Sequence, residues 1–180
     1  IADIHAYRPS KHSLSQSQIL LRNYTADEAR LPMREMVESL VLELLQIKAV
    51  TKCIHVHIGY AAEDLKSTGG SRTLAHYTDS FQELCPAVLA LFDKNKRPHE
   101  LIRRIAVSFE DLVNKAAVPT EMDLFSNALT DIAEQEEHIQ KTMLNIKGRF
   151  GKNAILRASS LQEEGTMQFR NTLVGGHNGE

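Results

Sequence analysis

Residues 51–78 constrain this chain more than any other stretch. Ile54, Val56, Ile58 and Tyr60 alternate there with Cys53, His55, His57 and Gly59. Strict alternation sends successive side chains to opposite faces of a strand, one face buried and one wet. A second strand-like run, residues 71–78, follows a loop containing Ser67-Thr68-Gly69-Gly70. The spacing predicts a hairpin of strands 51–61 and 71–78. A chain built on it must cover one sheet face and leave the other to solvent or to a partner.

The flanking sequence supplies the cover. Residues 13–21 read as a strand with Ser15 and Ser17 on one side. Thr25 is placed to cap a helix whose first turn carries Asp27 and Glu28 near the positive helix end. Pro32 predicts a kink or a separate first turn. Beyond it Met33, Met36, Val37, Leu40, Val41, Leu44 and Leu45 recur at helical spacing as a core-facing stripe. Thr78-Asp79-Ser80 caps a second helix bearing Phe81, Leu84, Val88, Leu91 and Phe92, which ends at the cationic run before Pro98. Residues 101–112 read as a fourth strand, with Ile105, Val107 and Phe109 alternating against Arg104, Ala106 and Ser108. The predicted order is β-α-β-β-α-β, an α+β fold with a four-stranded, mostly antiparallel sheet and two helices on one face.

Residues 1–12 read as a linker, 13–114 as this α+β domain, and 115–180 as a C-terminal extension. The extension contains a third helix at about 126–146 and a weakly patterned, Gly- and Asn-containing tail from Gly151, expected to be partly disordered without a partner. No internal repeat is visible. No run of eighteen apolar residues is present, so no membrane span is expected. The Ile-Ala-Asp-Ile start is not a signal peptide, and the chain is expected to be a piece of a longer polypeptide. Two cysteines, Cys53 and Cys85, make no disulfide framework, so reduced thiols and a cytoplasmic location are expected. A formal charge of −2 argues against strong whole-chain attraction to nucleic acid and leaves binding to local patches.

Enzyme chemistry finds no support in the motifs. Gly69-Gly70 lies between two strands and reads as turn, and there is no G-x-S-x-G, H-E-x-x-H or C-x-x-C. Glu134, Glu136 and Glu137 read as a solvated helix face. Cys53, His55 and His57 share one strand face, and His55 and His57 stand about 6–7 Å apart, within chelating reach. A tetrahedral site needs further ligands, and only His76 is near, so no metal ligand is assigned. Nucleic acid fits the free face better. It would present Ser15, Ser17, His55, His57 and Arg104, with Lys52, Arg72, Thr73, His76 and Arg103 near it or at its edges. Hydroxyls and cations contact phosphate oxygens, and the lack of aromatics at the strand centres argues against single-strand base stacking. A solvated face remains the alternative. A second basic stretch, Lys141, Lys147, Arg149, Lys152 and Arg157, reads equally well as a nucleic-acid contact or as a cationic helix end.

Four passages carry a resemblance to a known family. They are Lys11-His12-Ser13-Leu14-Ser15-Gln16-Ser17-Gln18 running to Arg22-Asn23-Tyr24, then Gly70-Ser71-Arg72-Thr73-Leu74, then Ile102 to Phe109, and Gly151 to Leu161 with the closing Gly175-Gly176-His177. In their order and spacing the chain resembles the C-terminal part of Y-family lesion-bypass DNA polymerases, in the UmuC/ImpB/MucB-like group. The resemblance implies that the β-α-β-β-α-β unit is a little-finger domain that lays its sheet against primer–template DNA. It adds Arg22 and Ser108 to the DNA-binding candidates. It further implies that the catalytic carboxylates lie in an upstream palm. The fragment itself would then be neither catalytic nor cofactor-binding, and its parent would use magnesium and deoxynucleoside triphosphates in translesion synthesis, within DNA repair and the SOS response. Glu121-Met122-Asp123-Leu124-Phe125 looks like the short segment by which such polymerases dock on the bacterial sliding clamp, with Glu121 and Met122 departing from the usual Gln and Leu. Leu124 and Phe125 could equally pin the third helix to the domain.

Overall fold

Thr25 starts the first helix as the sequence predicts, through a reciprocal cap. The Glu28 backbone N–H donates to Thr25 Oγ1 at 3.3 Å, and the Thr25 N–H donates to Glu28 Oε2 at 2.7 Å. The computed structural model describes residues 13–118, 127–174 and 177–178. In chain order these include β1 (Leu14–Tyr24), α1 (Ala26–Ile47), β2 (Ala49–Tyr60), β3 (Thr68–Thr78), α2 (Phe81–Asn95), β4 (Ile102–Glu110) and β5 (Val113–Asn114). The extension follows with α3 (Asn127–Phe150), α4 (Met167–Arg170), β6 (Leu173–Val174) and β7 (His177–Asn178). The α+β order is the expected one. Its main sheet is antiparallel throughout, with strand order β1-β4-β2-β3, and β5 adds a short fifth strand beside the start of β2.

Two local expectations change. Pro32 does not split off a separate first turn of α1, which runs unbroken through it. The ring sits within two turns of the helix start, forfeits only the bond to the Glu28 carbonyl, and is buried in the core. Thr68, Gly69 and Gly70 belong to β3, opposite Ile58, His57 and Val56, rather than to a loop. A Cβ on Gly69 would lie 2.3 Å from the Val56 carbonyl oxygen, so glycine serves close strand approach here, not turn geometry.

The apolar members of each strand close the core. Ile54, Val56 and Ile58 of β2 and Ile105, Val107 and Phe109 of β4 are fully buried with Met33, Met36, Leu40 and Leu44 of α1 and Leu84, Val88 and Phe92 of α2. Burying side chains of this size contributes about 1.5–3 kcal/mol each.

Residues 151–173 pack back onto the domain, where sequence suggested partial disorder. Met167 is 1% exposed, and Tyr24 Oη donates to the Glu164 carbonyl at 3.2 Å. Two carboxylates of α1 hold this segment. Glu35 Oε2 accepts from the Thr166 N–H at 2.9 Å and from Thr166 Oγ1 at 3.1 Å. Glu38 Oε2 accepts from Arg157 Nε at 2.6 Å. Burial outweighs the Glu35 carboxylate's attraction at the neighbouring Arg170, whose pKa falls below the ordinary guanidinium value. The α3 helix is tied to the start of α2, where Glu136 accepts from Ser80 Oγ at 2.6 Å and from the Gln82 N–H at 3.0 Å. The extension thus meets the helix layer and leaves the far face of the sheet uncovered among the described residues.

Candidate nucleic-acid interface

Strand register decides which side chains share the uncovered face. Ser15 of β1 pairs with Ser108 of β4, Ser108 with His55 of β2, and His55 with Ser71 of β3. The next row runs Ser17, Ala106, His57, Gly69. On one side of this pair lies Glu110, Cys53, Thr73; on the other lies Ile19, Arg104, Gly59. Adjacent strands stand about 4.8 Å apart, so a four-strand row is roughly 14 Å wide. His55 and His57 stand two residues apart along the inner strand β2. Small residues flank it on both sides: Ser108, Ala106, Ser15 and Ser17 towards β1, Ser71 and Gly69 towards β3.

The rows whose register is fixed carry one guanidinium, Arg104, and one carboxylate, Glu110. Arg104 is exposed, and Gly59 lies opposite it. A Cβ on Gly59 would come within 3.1 Å of the Arg104 Cβ, so the glycine leaves the arginine room over the sheet. Partial burial raises the Cys53 thiol above its usual pKa, and Glu110 and Asp111 push it the same way. Among the described residues no group of three or more His, Cys, Asp or Glu could hold a metal ion.

Of the residues singled out from sequence, Ser15, Ser17, His55, His57, Thr73, Arg104 and Ser108 come together on this face. The others sit elsewhere. Arg72 pairs with the buried Ile54, which places it on the helix side of the edge strand β3, exposed at its rim. His76 Nε2 lies 2.9 Å from Glu83 Oε2 of α2. The Lys52 ammonium stacks 5.4 Å from the Tyr77 ring centre, beside a register shift. Arg22 is held at 2.8 Å by Glu28 and lies 4.5 Å over the Tyr24 ring, and the Glu28 bond raises its pKa. Arg103 occupies a bulge and donates from Nη1 to the Leu20 carbonyl at 2.7 Å, where the β1–β4 ladder is interrupted between Ile19 and Tyr24. Its guanidinium serves the backbone of β1.

Gly59 lies on the face as the alternation predicts, and Ser71, Gly69 and Ile19 belong to it without having been read from sequence. Alternation assigns a side chain to one of two faces, but only cross-strand register says which strands stand beside it.

The second basic stretch is largely engaged. Lys141 pairs with Glu137 at 2.5 Å, Lys147 Nζ donates to the Lys152 carbonyl at 3.2 Å, Arg157 binds Glu38, and Arg149 lies 5.5 Å from the Phe150 ring centre. The segment 121–125 lies outside the described residues. No helix among those described is long and apolar enough to cross a membrane.

Known proteins resemble this chain in sequence. The impB/mucB/samB family C-terminal domain matches residues 11–124. A protein named for UV-damage repair, UvrX of Bacillus subtilis (strain 168), is 30% identical over 172 residues, covering 92% of this chain and 38% of its own length. DNA polymerase IV of Bacillus velezensis is 31% identical over 127 residues, covering 69% of this chain and 29% of its own length. The chain therefore spans well under half the length of the curated relatives it matches. Among solved structures, an insertion ternary complex of Dbh DNA polymerase aligns with TM-score 0.47 and 17% identity over 57% of this chain and 29% of that one. The little finger domain of PolIV, in complex with the beta-clamp processivity factor, aligns with TM-score 0.44 and 12% identity over 54% of this chain and 86% of that one. The family match takes in the whole of the β1–β5 sheet and both helices that cover it, and the chain belongs to the impB/mucB/samB family C-terminal domain, the C-terminal region of Y-family DNA polymerases.

Proposed function

We propose that the uncovered sheet face grips primer–template duplex DNA through its phosphate backbone while the parent polymerase copies past damage. The observation that carries this reading is the composition of the face itself: two rows of hydroxyls, small residues and imidazoles with Arg104 at one end, on the side of the sheet away from the extension. Short hydroxyls and backbone amides on a flat surface suit phosphate contacts, which position a duplex without reading its sequence. The near-neutral charge of the face predicts modest affinity for this chain alone, with the rest of the parent adding contacts. Magnesium, nucleotide and the chemical step belong to the parent in this reading, as do SOS induction and a cytoplasmic location.

The test is the affinity of this chain for unrelated primer–template duplexes at low and moderate salt. Each phosphate neutralised by a cation contributes about 0.9 to the slope of log affinity against log salt. Arg104→Ala should flatten that slope by about 1 and weaken all sequences alike. Affinity indifferent to salt, or to Arg104, would remove the basis of the proposal. Arg103 is unsuited to this test because its loss also unties β1.

A protein-interaction module that docks the polymerase to the sliding clamp or to a recombinase filament is the alternative, supported by the sequence of residues 121–125. If Leu124→Ala with Phe125→Ala retains clamp in a pull-down as well as the parent sequence does, that alternative fails.

A further inference from the structure

Histidine is the side chain whose charge ordinarily changes between pH 5 and 8, and the uncovered face has two at its centre. We propose that His55 and His57 act together as a protonation-controlled grip, so that duplex DNA is held more tightly as the imidazoles gain charge. The inference rests on the DNA-binding reading of this face and assigns its regulation.

The surroundings of the pair favour such a role. Their row neighbours on β1 are Ser15 and Ser17, on β4 Ser108 and Ala106, and on β3 Ser71 and Gly69, none of them charged. On β2 itself the flanking residues of the face are Cys53 and Gly59. The nearest charged groups in the fixed rows are Glu110, opposite Cys53, and Arg104, opposite Gly59. They lie at opposite ends and are of opposite sign. Neither imidazole has a hydrogen-bond partner among the described residues, in contrast to His76, which meets Glu83. Both rings are half-buried on the strand with their neighbours cut short. A duplex laid across the serine and glycine lanes would bring its phosphates beside both imidazoles. At i and i+2 on one strand they stand roughly 7 Å apart, far enough for two different phosphates. With one arginine and one glutamate otherwise on the face, two added charges change its sign from neutral to positive.

The magnitude follows from counterion release. Two imidazolium–phosphate contacts steepen the salt slope by about 1.8 and raise affinity at 0.1 M salt by at most roughly 60-fold. The experiment measures fluorescence anisotropy of a labelled primer–template duplex with the full chain at pH 5.5 and pH 8.0, at fixed ionic strength and over a salt series. The expected result is tighter binding and a steeper slope at pH 5.5. His55→Asn with His57→Asn should bind equally at both pH values, and each single variant should keep about half of the slope change. Wild-type affinity independent of pH would overturn the inference, as would a pH response that survives in the double variant. The DNA-binding reading fails separately, if Ser15→Glu with Ser17→Glu leaves affinity unchanged at both pH values.

Discussion

Replacing Arg157 with alanine tests how the extension is held to the domain. The Arg157 Nε–Glu38 Oε2 contact is 2.6 Å, and the Glu38 side chain is 5% exposed while that of Arg157 is 35% exposed. The other carboxylate oxygen of Glu38 is buried with no hydrogen-bond partner among the described residues. Deleting the arginine thus leaves a buried carboxylate without its cation. Breaking a fully buried pair costs about 3–5 kcal/mol; the partial exposure of Arg157 lowers the expectation to about 2–3 kcal/mol. Arg157 also stacks 4.3 Å from the Phe81 ring centre, worth about 0.5–1 kcal/mol more. The loss falls on docking of the extension first, because the sheet core lies on the other side of α1. Hydrogen exchange reads it directly. The Thr166 N–H, bonded to Glu35, and the Arg170 N–H, bonded to the Thr166 carbonyl at 2.8 Å, should exchange at least about 30-fold faster, while β2 and β4 amides hold their rates. Glu38→Leu combined with Arg157→Leu should recover most of the loss, since two apolar groups leave no charge stranded. Exchange at Thr166 and Arg170 within twofold of wild type in Arg157→Ala would refute the idea that this pair secures the extension.

Other consequences are as open to measurement. Gly69→Ala drives a Cβ to 2.3 Å from the Val56 carbonyl and should destabilise by at least about 2 kcal/mol in denaturant unfolding, whereas Gly148→Ala, with open space around it in α3, should stabilise by about 0.5–1 kcal/mol. Met167→Ala empties a fully buried site between extension and α1 and should cost about 2–5 kcal/mol of extension docking, seen as faster proteolysis of residues 151–173. The Arg22 bond, reinforced by the Thr25 N–H and hydroxyl, holds the Glu28 carboxyl at about 2 instead of 4.5. Because the folded pKa is the lower one, its contribution is present above about pH 4.5 and disappears as pH falls towards 2. Glu28→Gln should therefore flatten that part of the acid limb of a melting-temperature profile.

The fold was legible in sequence where one signal sufficed. Alternation in residues 51–60, the Thr25-to-Glu28 capping box and the apolar stripe of α1 each act over a few neighbouring residues, and each element formed near where it was expected. Glycine misled in β3, because a glycine required for close strand approach carries the same letters as one required for a turn. The extension was illegible for a different reason. Glu35 and Glu38 look like solvated helix carboxylates until Thr166 and Arg157, more than a hundred residues later, are seen to bind them. The site was half legible. Alternation found His55, His57, Ser15, Ser17 and Arg104, but it could not separate a free cation from one already engaged. Arg22, Lys52 and Arg103 look like DNA ligands as letters and are occupied by Glu28, Tyr77 and the Leu20 carbonyl in space.

Amide chemical-shift mapping with a short primer–template duplex tests the central claim most directly. A grip through the uncovered face predicts the largest shifts at Ser15, Ser17, His55, His57, Ser71, Arg104 and Ser108, in the same pattern for duplexes of unrelated sequence. Shifts confined to α1, α2 and the extension, with those rows unmoved, would contradict it.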